Sequence, residues 1–110
     1  MSASAFSLTV LVAADSFVVT QGEPVISGLH GASKHDFCQY CLSWLFTHPA
    51  ETGAVPGVRS SMMENARQFG PFVETWTSEK LPWAQTGATH SFAQFPPPDA
   101  FGALTRGFAE

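Results

Sequence analysis

The two cysteines of this chain, Cys38 and Cys41, stand two residues apart and are followed at once by the run Leu42-Ser43-Trp44-Leu45-Phe46. No other feature restricts the fold as much. Two thiolates at this spacing reach one metal ion, at about 2.3 Å per Zn–S bond, when a tight turn aims both sulfurs inward. The same spacing serves a redox dithiol. A tetrahedral zinc site takes four ligands, and the chain holds two cysteines, so the spacing marks half of a site. The bland alternative is a pair of buried apolar thiols, which cores commonly hold. A thioredoxin-like dithiol fits less well, because that motif opens a helix whose N-terminus lowers the thiol pKa, and a strand-like segment follows here.

Four histidines, His30, His35, His48 and His90, are the nearest source of missing ligands. His35 precedes Cys38 by three residues, and an H-x-x-C-x-x-C cluster is sterically feasible. For each histidine taken singly, a solvated loop or a hydrogen-bonded role outweighs ligation. Nothing else marks a chemical site. There is no G-x-S-x-G elbow, no carboxylate pair at a telling spacing and no phosphate-binding glycine loop. Trp44, Trp76 and Trp83 are expected to fill a core or a dimer seam.

Hydropathy patterning predicts a mainly β chain. Phe6, Leu8, Val10 and Val12 alternate with Ser7, Thr9 and Leu11, which is the period of a half-buried strand. A turn over Ala13–Ser16 leads to a second strand at Phe17–Gln21 and a third at Val25–Ile26. Gly28–Lys34 reads as a loop, and Ser43–Thr47 as an apolar strand with Trp44 and Phe46 on one face. A turn-rich loop over Pro49–Gly57 precedes a strand candidate at Val58–Met63. Further strands are expected at Phe72–Thr77 and Thr89–Phe95. Pro96-Pro97-Pro98 then stops the chain, and Asp99 is a fitting N-cap for a short final helix carrying Phe101, Leu104 and Phe108. Gly102 and Gly107 weaken that helix by up to about 1 kcal/mol each.

Length fits one domain over residues 1–110. Charged residues make up only 13% of the chain, against ten Phe and three Trp. So little charge on so aromatic a chain suggests that a second copy covers part of the surface, and a homodimer is expected. The net charge of −4, with Lys34, Arg59, Lys80 and Arg106 far apart, argues against nucleic acid or an anionic membrane as partner. No apolar run is long enough for a transmembrane helix, and no signal peptide opens the chain. A cytoplasmic location without a structural disulfide is the expectation.

With these residues in view, the chain resembles the glutathione-dependent formaldehyde-activating enzyme family, which includes the centromere protein V-like proteins. Phe37-Cys38-Gln39-Tyr40-Cys41-Leu42-Ser43-Trp44-Leu45-Phe46 is similar to that family's F-C-x-x-C-G-S-x-L-F segment. Ser4–Val12 and Phe17–Pro24 resemble the strand pair before it. Glu74–Trp83 and His90–Pro96 resemble a bacterial branch.

The resemblance implies an Mss4-like fold of antiparallel sheets and a carbon–sulfur lyase acting on glutathione–aldehyde adducts. It further implies a catalytic zinc held by a C-x-C-x-x-C cluster, and a structural zinc held by Cys38, Cys41 and two earlier cysteines. The residues completing both sites are expected upstream of Met1, which makes the chain a truncated form or a remnant without the metal chemistry. No catalytic residue is expected in the chain as it stands. The alternative is a non-enzymatic, zinc-stapled β domain that binds itself or a partner. Leu42 stands where the family has glycine, and is expected to alter the turn after the pair.

Overall fold

A computed structural model describes residues 4–50 and 55–109. Its contacts fall into two compact units, Met1–Phe69 and Gly70–Glu110.

The first unit is built on a five-stranded antiparallel sheet. Its strands are β1 (Thr9–Leu11), β2 (Val25–Ile26), β3 (Lys34–Phe37), β4 (Trp44–His48) and β5 (Gly57–Arg59), in the spatial order β1-β5-β4-β3-β2. The alternation expected at the start of the chain is present, since Leu8, Val10 and Val12 are less exposed than Thr9 and Leu11. The strand itself is shorter than expected. It pairs with β5 from Thr9↔Arg59 to Leu11↔Gly57, and one further bond at each end extends the contact: Ser60 N–H to the Leu8 carbonyl (3.2 Å) and Val12 N–H to the Pro56 carbonyl (3.0 Å). Pro56 has no N–H to return, so the ladder stops there. β1 and β5 approach closely because of Gly57, where a β-carbon would lie 2.6 Å from Thr9 Cγ2.

Three expectations for this unit differ from the structure for physical reasons. Phe17–Gln21 forms no strand. A 3-10 turn at Ala14–Ser16 delivers Phe17 in extended backbone, and its ring docks edge-on to Phe46 with centroids 4.9 Å apart. That contact holds the segment over a face of the sheet instead of along an edge. Nor do Trp44 and Phe46 share a face. Phe46 pairs with Asp36 and Trp44 with Phe37, and the register shifts between Asp36 and Phe37, leaving Leu45 as the extra residue of a bulge. Because Asp36 and Phe37 are successive residues of one strand, their partners lie on opposite faces. Val58–Met63 likewise divides, with β5 ending at Arg59 and a 3-10 turn over Ser60–Met62. Phe37 and Phe46, each 8% exposed, are the buried aromatics on the two sides.

The second unit holds a two-stranded sheet of β6 (Val73–Glu74) and β7 (His90–Ser91), with register Val73↔His90. This pair is parallel, whereas antiparallel sheets were expected. The long connection over residues 75–89 supplies the crossover that parallel pairing needs, and includes a 3-10 turn at Thr77–Glu79. The Glu74 carboxylate, just before this connection, holds its far side, accepting hydrogen bonds from Ser91 Oγ (2.6 Å) and Thr86 Oγ1 (2.8 Å). The final helix, α1, spans Phe101–Ala109. Asp99 does not cap it, because Pro98 opens a 3-10 turn over Pro98–Ala100 one residue earlier and Ala100 N–H bonds the Pro97 carbonyl. Gly107 lets the helix lie against Phe72, where a β-carbon would stand 3.2 Å from the ring. Phe108 packs on the same ring, with centroids 5.7 Å apart. Among the described residues no helix is long and apolar enough to cross a membrane.

Candidate metal centre

Cys38 and Cys41 lie in the connection between β3 and β4. The antiparallel pairing of those strands is carried one step past Phe37 and Trp44 by Cys38 N–H bonding the Ser43 carbonyl at 2.9 Å. Inside that bracket the Leu42 N–H returns to the Cys38 carbonyl at 2.7 Å, closing a tight turn around Cys38-Gln39-Tyr40-Cys41. Closure needs left-handed backbone at Leu42, whose φ is 61°. Glycine enters that region without penalty, while a residue with a β-carbon meets steric cost. Leucine at position 42 therefore occupies backbone that favours glycine, and bears that strain with a side chain 66% exposed.

Both thiols are free, with Cys38 half-buried and Cys41 exposed. The Cys41 sulfur lies 3.2 Å from the Ser43 hydroxyl. Its pKa is lowered, first by that hydroxyl, then by the Ser43 backbone and the Cys38 side chain. Each of these groups stabilises the thiolate, the form that binds metal and acts as nucleophile. Ser43 was not singled out from the sequence, although its place two residues after the second cysteine is the signal that finds it.

The histidines do not complete the site. His35 Nδ1 lies 2.8 Å from Thr47 Oγ1, and its ring packs edge-on against Trp44. His48 reaches Asp36 Oδ2 at 3.4 Å, and His90 packs against Phe72 in the second unit. Among the described residues no group of three His, Cys, Asp or Glu side chains is placed to hold a metal ion. The turn therefore fits half of a thiolate site, with one sulfur already biased toward its charged form. The donors for the other half are not among the described residues, nor are any for a second, catalytic ion.

On one face of the sheet an apolar groove of about 360 Å³ adjoins the turn. Phe17, Pro24, Phe46, Val58 and Met62 line it, and Cys38 and Gln39 stand at its border. The opposite face carries a polar–aromatic cluster. Trp44 Nε1 donates to Thr47 Oγ1 at 3.1 Å, and the Arg59 guanidinium carbon lies 4.4 Å from the centroid of the Trp44 ring. From the sequence Arg59 was read only as one of several cations far apart, and its place between Val58 and Ser60 gave no sign of a site.

No curated protein and no solved structure matches this chain. A family model described as "Glutathione-dependent formaldehyde-activating enzyme" matches residues 1–79, which takes in all of the first unit and the start of the second. His90–Pro96, part of the expected resemblance, lies beyond the matched residues. The match spans most of the sequence, Cys38–Cys41 turn included, and so the chain belongs to the glutathione-dependent formaldehyde-activating enzyme family.

Proposed function

We propose that Cys38 and Cys41 are two of the four ligands of a structural zinc site, with the remaining ligands supplied from outside the described residues. The turn carries this reading. Its two backbone bonds fix both cysteines on one short loop, and Ser43 favours the charged form of Cys41. When bound, zinc in such a site supplies folding stability. The chain's own part is to hold the loop at the end of the β3–β4 hairpin, so that metal capture and hairpin formation support one another. Titration with zinc in the presence of a thiol reductant tests the assignment. Binding that releases protons and is lost in Cys38→Ser is expected. A wild-type chain that takes up no zinc, or a Cys38→Ser chain that binds as well, overturns it.

The family points to a carbon–sulfur lyase working on a glutathione–aldehyde adduct. In that chemistry a second zinc serves as Lewis acid toward the adduct oxygen. The donor set of this chain does not fit that ion, since both cysteines are engaged in the turn. No step is derived through it, and no residue here is assigned a catalytic role. The proposed behaviour of this chain is inactivity, checked by NMR of glutathione mixed with formaldehyde. Adduct formation faster than the uncatalysed rate would refute it.

One observation favours a non-enzymatic use of the same scaffold. Tyr40 and Leu42 project from the turn at 95% and 66% exposure, an apolar tip beside the metal ligands that self-association or a partner would cover. Sedimentation of the wild type and of a Tyr40→Ser, Leu42→Ser double variant separates the readings. A dimer lost in the variant supports association through the turn, and a monomer in both cases removes it.

A further inference from the structure

Arg59 sits on β5 opposite Thr9 of β1, and its guanidinium stands over the indole of Trp44. That indole is fixed from behind. Its Nε1 donates to the Thr47 hydroxyl, the same hydroxyl meets His35 Nδ1, and the His35 ring packs edge-on to the indole with centroids 5.5 Å apart. Two side chains, Thr47 on β4 and His35 on β3, thus hold the platform on which the arginine rests. A guanidinium over an aromatic face retains N–H donors along its edges for an acceptor in its own plane. In Arg59 one such donor, Nη1, is buried and has no hydrogen-bond partner among the described residues. No carboxylate among them lies within ion-pair distance of it; the ion pair they contain joins His48 and Asp36.

A half-buried cation of this kind is costly as it stands. Burial lowers the Arg59 pKa, and among the described residues no acidic neighbour works against that effect. A buried donor left without an acceptor forfeits its hydration and receives nothing in exchange. Native structures rarely keep such a group unless a water, ion or ligand completes it. Ser60 Oγ is also buried and unpartnered, and lies in the 3-10 turn that follows β5.

We propose that Arg59, held over Trp44, is an oxyanion receptor that takes the carboxylate of a small ligand. One guanidinium matches one carboxylate in charge and in its planar, two-donor geometry. A phosphate dianion would call for a second cation, and neither strand flanking β5 carries Lys or Arg. The assignment rests on this cluster alone and is independent of the cysteine turn and its metal.

NMR on the full 15N-labelled chain tests it, following the Trp44 indole N–H at constant ionic strength. Sodium acetate is expected to give a saturable shift, while acetamide, the neutral analogue of the same shape, gives none. Arg59→Gln is expected to abolish the shift. Arg59→Lys, which keeps the charge without the fork, is expected to weaken binding about tenfold. The acetate–acetamide contrast uses the wild type alone, so it decides the matter even where a variant fails to fold. Equal responses to acetate and acetamide, or an acetate shift that survives Arg59→Gln, overturn the proposal. Saturation by inorganic phosphate but not by acetate overturns the choice of carboxylate.

Discussion

The left-handed backbone at Leu42 leads to a sharp test of the turn. The comparison that isolates it is Leu42→Gly against Leu42→Ala. Both variants forfeit the same slight contact of a side chain that is 66% exposed, so burial cancels between them. What remains is the backbone. Alanine keeps the β-carbon, which in left-handed conformation costs about 1–2 kcal/mol, and glycine escapes this. Against that, glycine loses more freedom on folding, by about 0.5–1 kcal/mol. The net advantage of glycine is on the order of 0.5–1 kcal/mol. At an ordinary exposed position the sign is reversed, with alanine ahead by a similar amount. Guanidinium denaturation followed by tryptophan fluorescence, with a chelator present so that both variants are compared free of metal, reads the difference as a shift in midpoint at constant slope. In a thermal melt it corresponds to roughly 2–5 °C for a chain of this size. An alanine variant as stable as the glycine one would show that position 42 is not left-handed, and the derived geometry of the cysteine turn would fall with it.

Ser43→Ala removes the largest influence on the Cys41 thiol, so the pH midpoint of its alkylation by iodoacetamide should move upward; an unmoved midpoint discards the hydroxyl–sulfur contact. Glu74 has a lowered pKa because Ser91 and Thr86 donate to its charged form. A carboxyl depressed in the folded state contributes stability above its unfolded value, near pH 4.3, and that contribution is lost as the pH falls through the lower folded value. Glu74→Gln should therefore show a shallower fall in melting temperature on acidification below about pH 5, and identical profiles for the two proteins would count against the latch. Gly57→Ala should destabilise by about 1–3 kcal/mol through its clash with the Thr9 methyl, and Thr9→Ser, which deletes that methyl, should restore most of the loss. An additive double variant would mean that the two strands do not approach as closely as described.

Most of what the sequence made legible was periodic. The alternation from Leu8 to Val12, the aromatic strand after Cys41 and the Phe101, Leu104, Phe108 spacing each led to the right kind of element, because burial on one face writes a period into the chain. Their ends were less legible. Pairing partners set them, as when Pro56 stops the β1–β5 ladder, and a single sequence does not reveal partners. Phe17–Gln21 has strand composition without strand pairing, since its aromatic found a ring to pack on rather than an edge to join. The parallel β6–β7 pair was hidden for a related reason, because short strands carry the same alternation whichever way they run. In the candidate site the spacing of Cys38 and Cys41 named two residues and could not name their neighbours. Ser43 acts on Cys41 through a turn that forms only when Leu42 goes left-handed.

The bulge at Leu45 explains why the second cluster escaped notice altogether. Without that extra residue the side chain at Trp44 would fall on the Phe46 face, because each step along a strand reverses direction. Trp44 would then stand with the groove residues, away from His35, Thr47 and Arg59, and the guanidinium would have no ring beneath it. A strict two-residue period puts Trp44 and Phe46 together, so the pattern that reads the strand correctly misplaces its first aromatic. The same inserted residue lies immediately beyond the cysteine turn. It gives the β3–β4 hairpin two chemically distinct faces, with Cys38 bordering the apolar groove on one and Trp44 supporting a cation on the other. A ligand carrying a carboxylate would thus be recognised on the side of the sheet opposite the groove that Cys38 adjoins. It follows that occupancy of the Arg59 site and metal capture by the turn are separable, and that each can fail without the other.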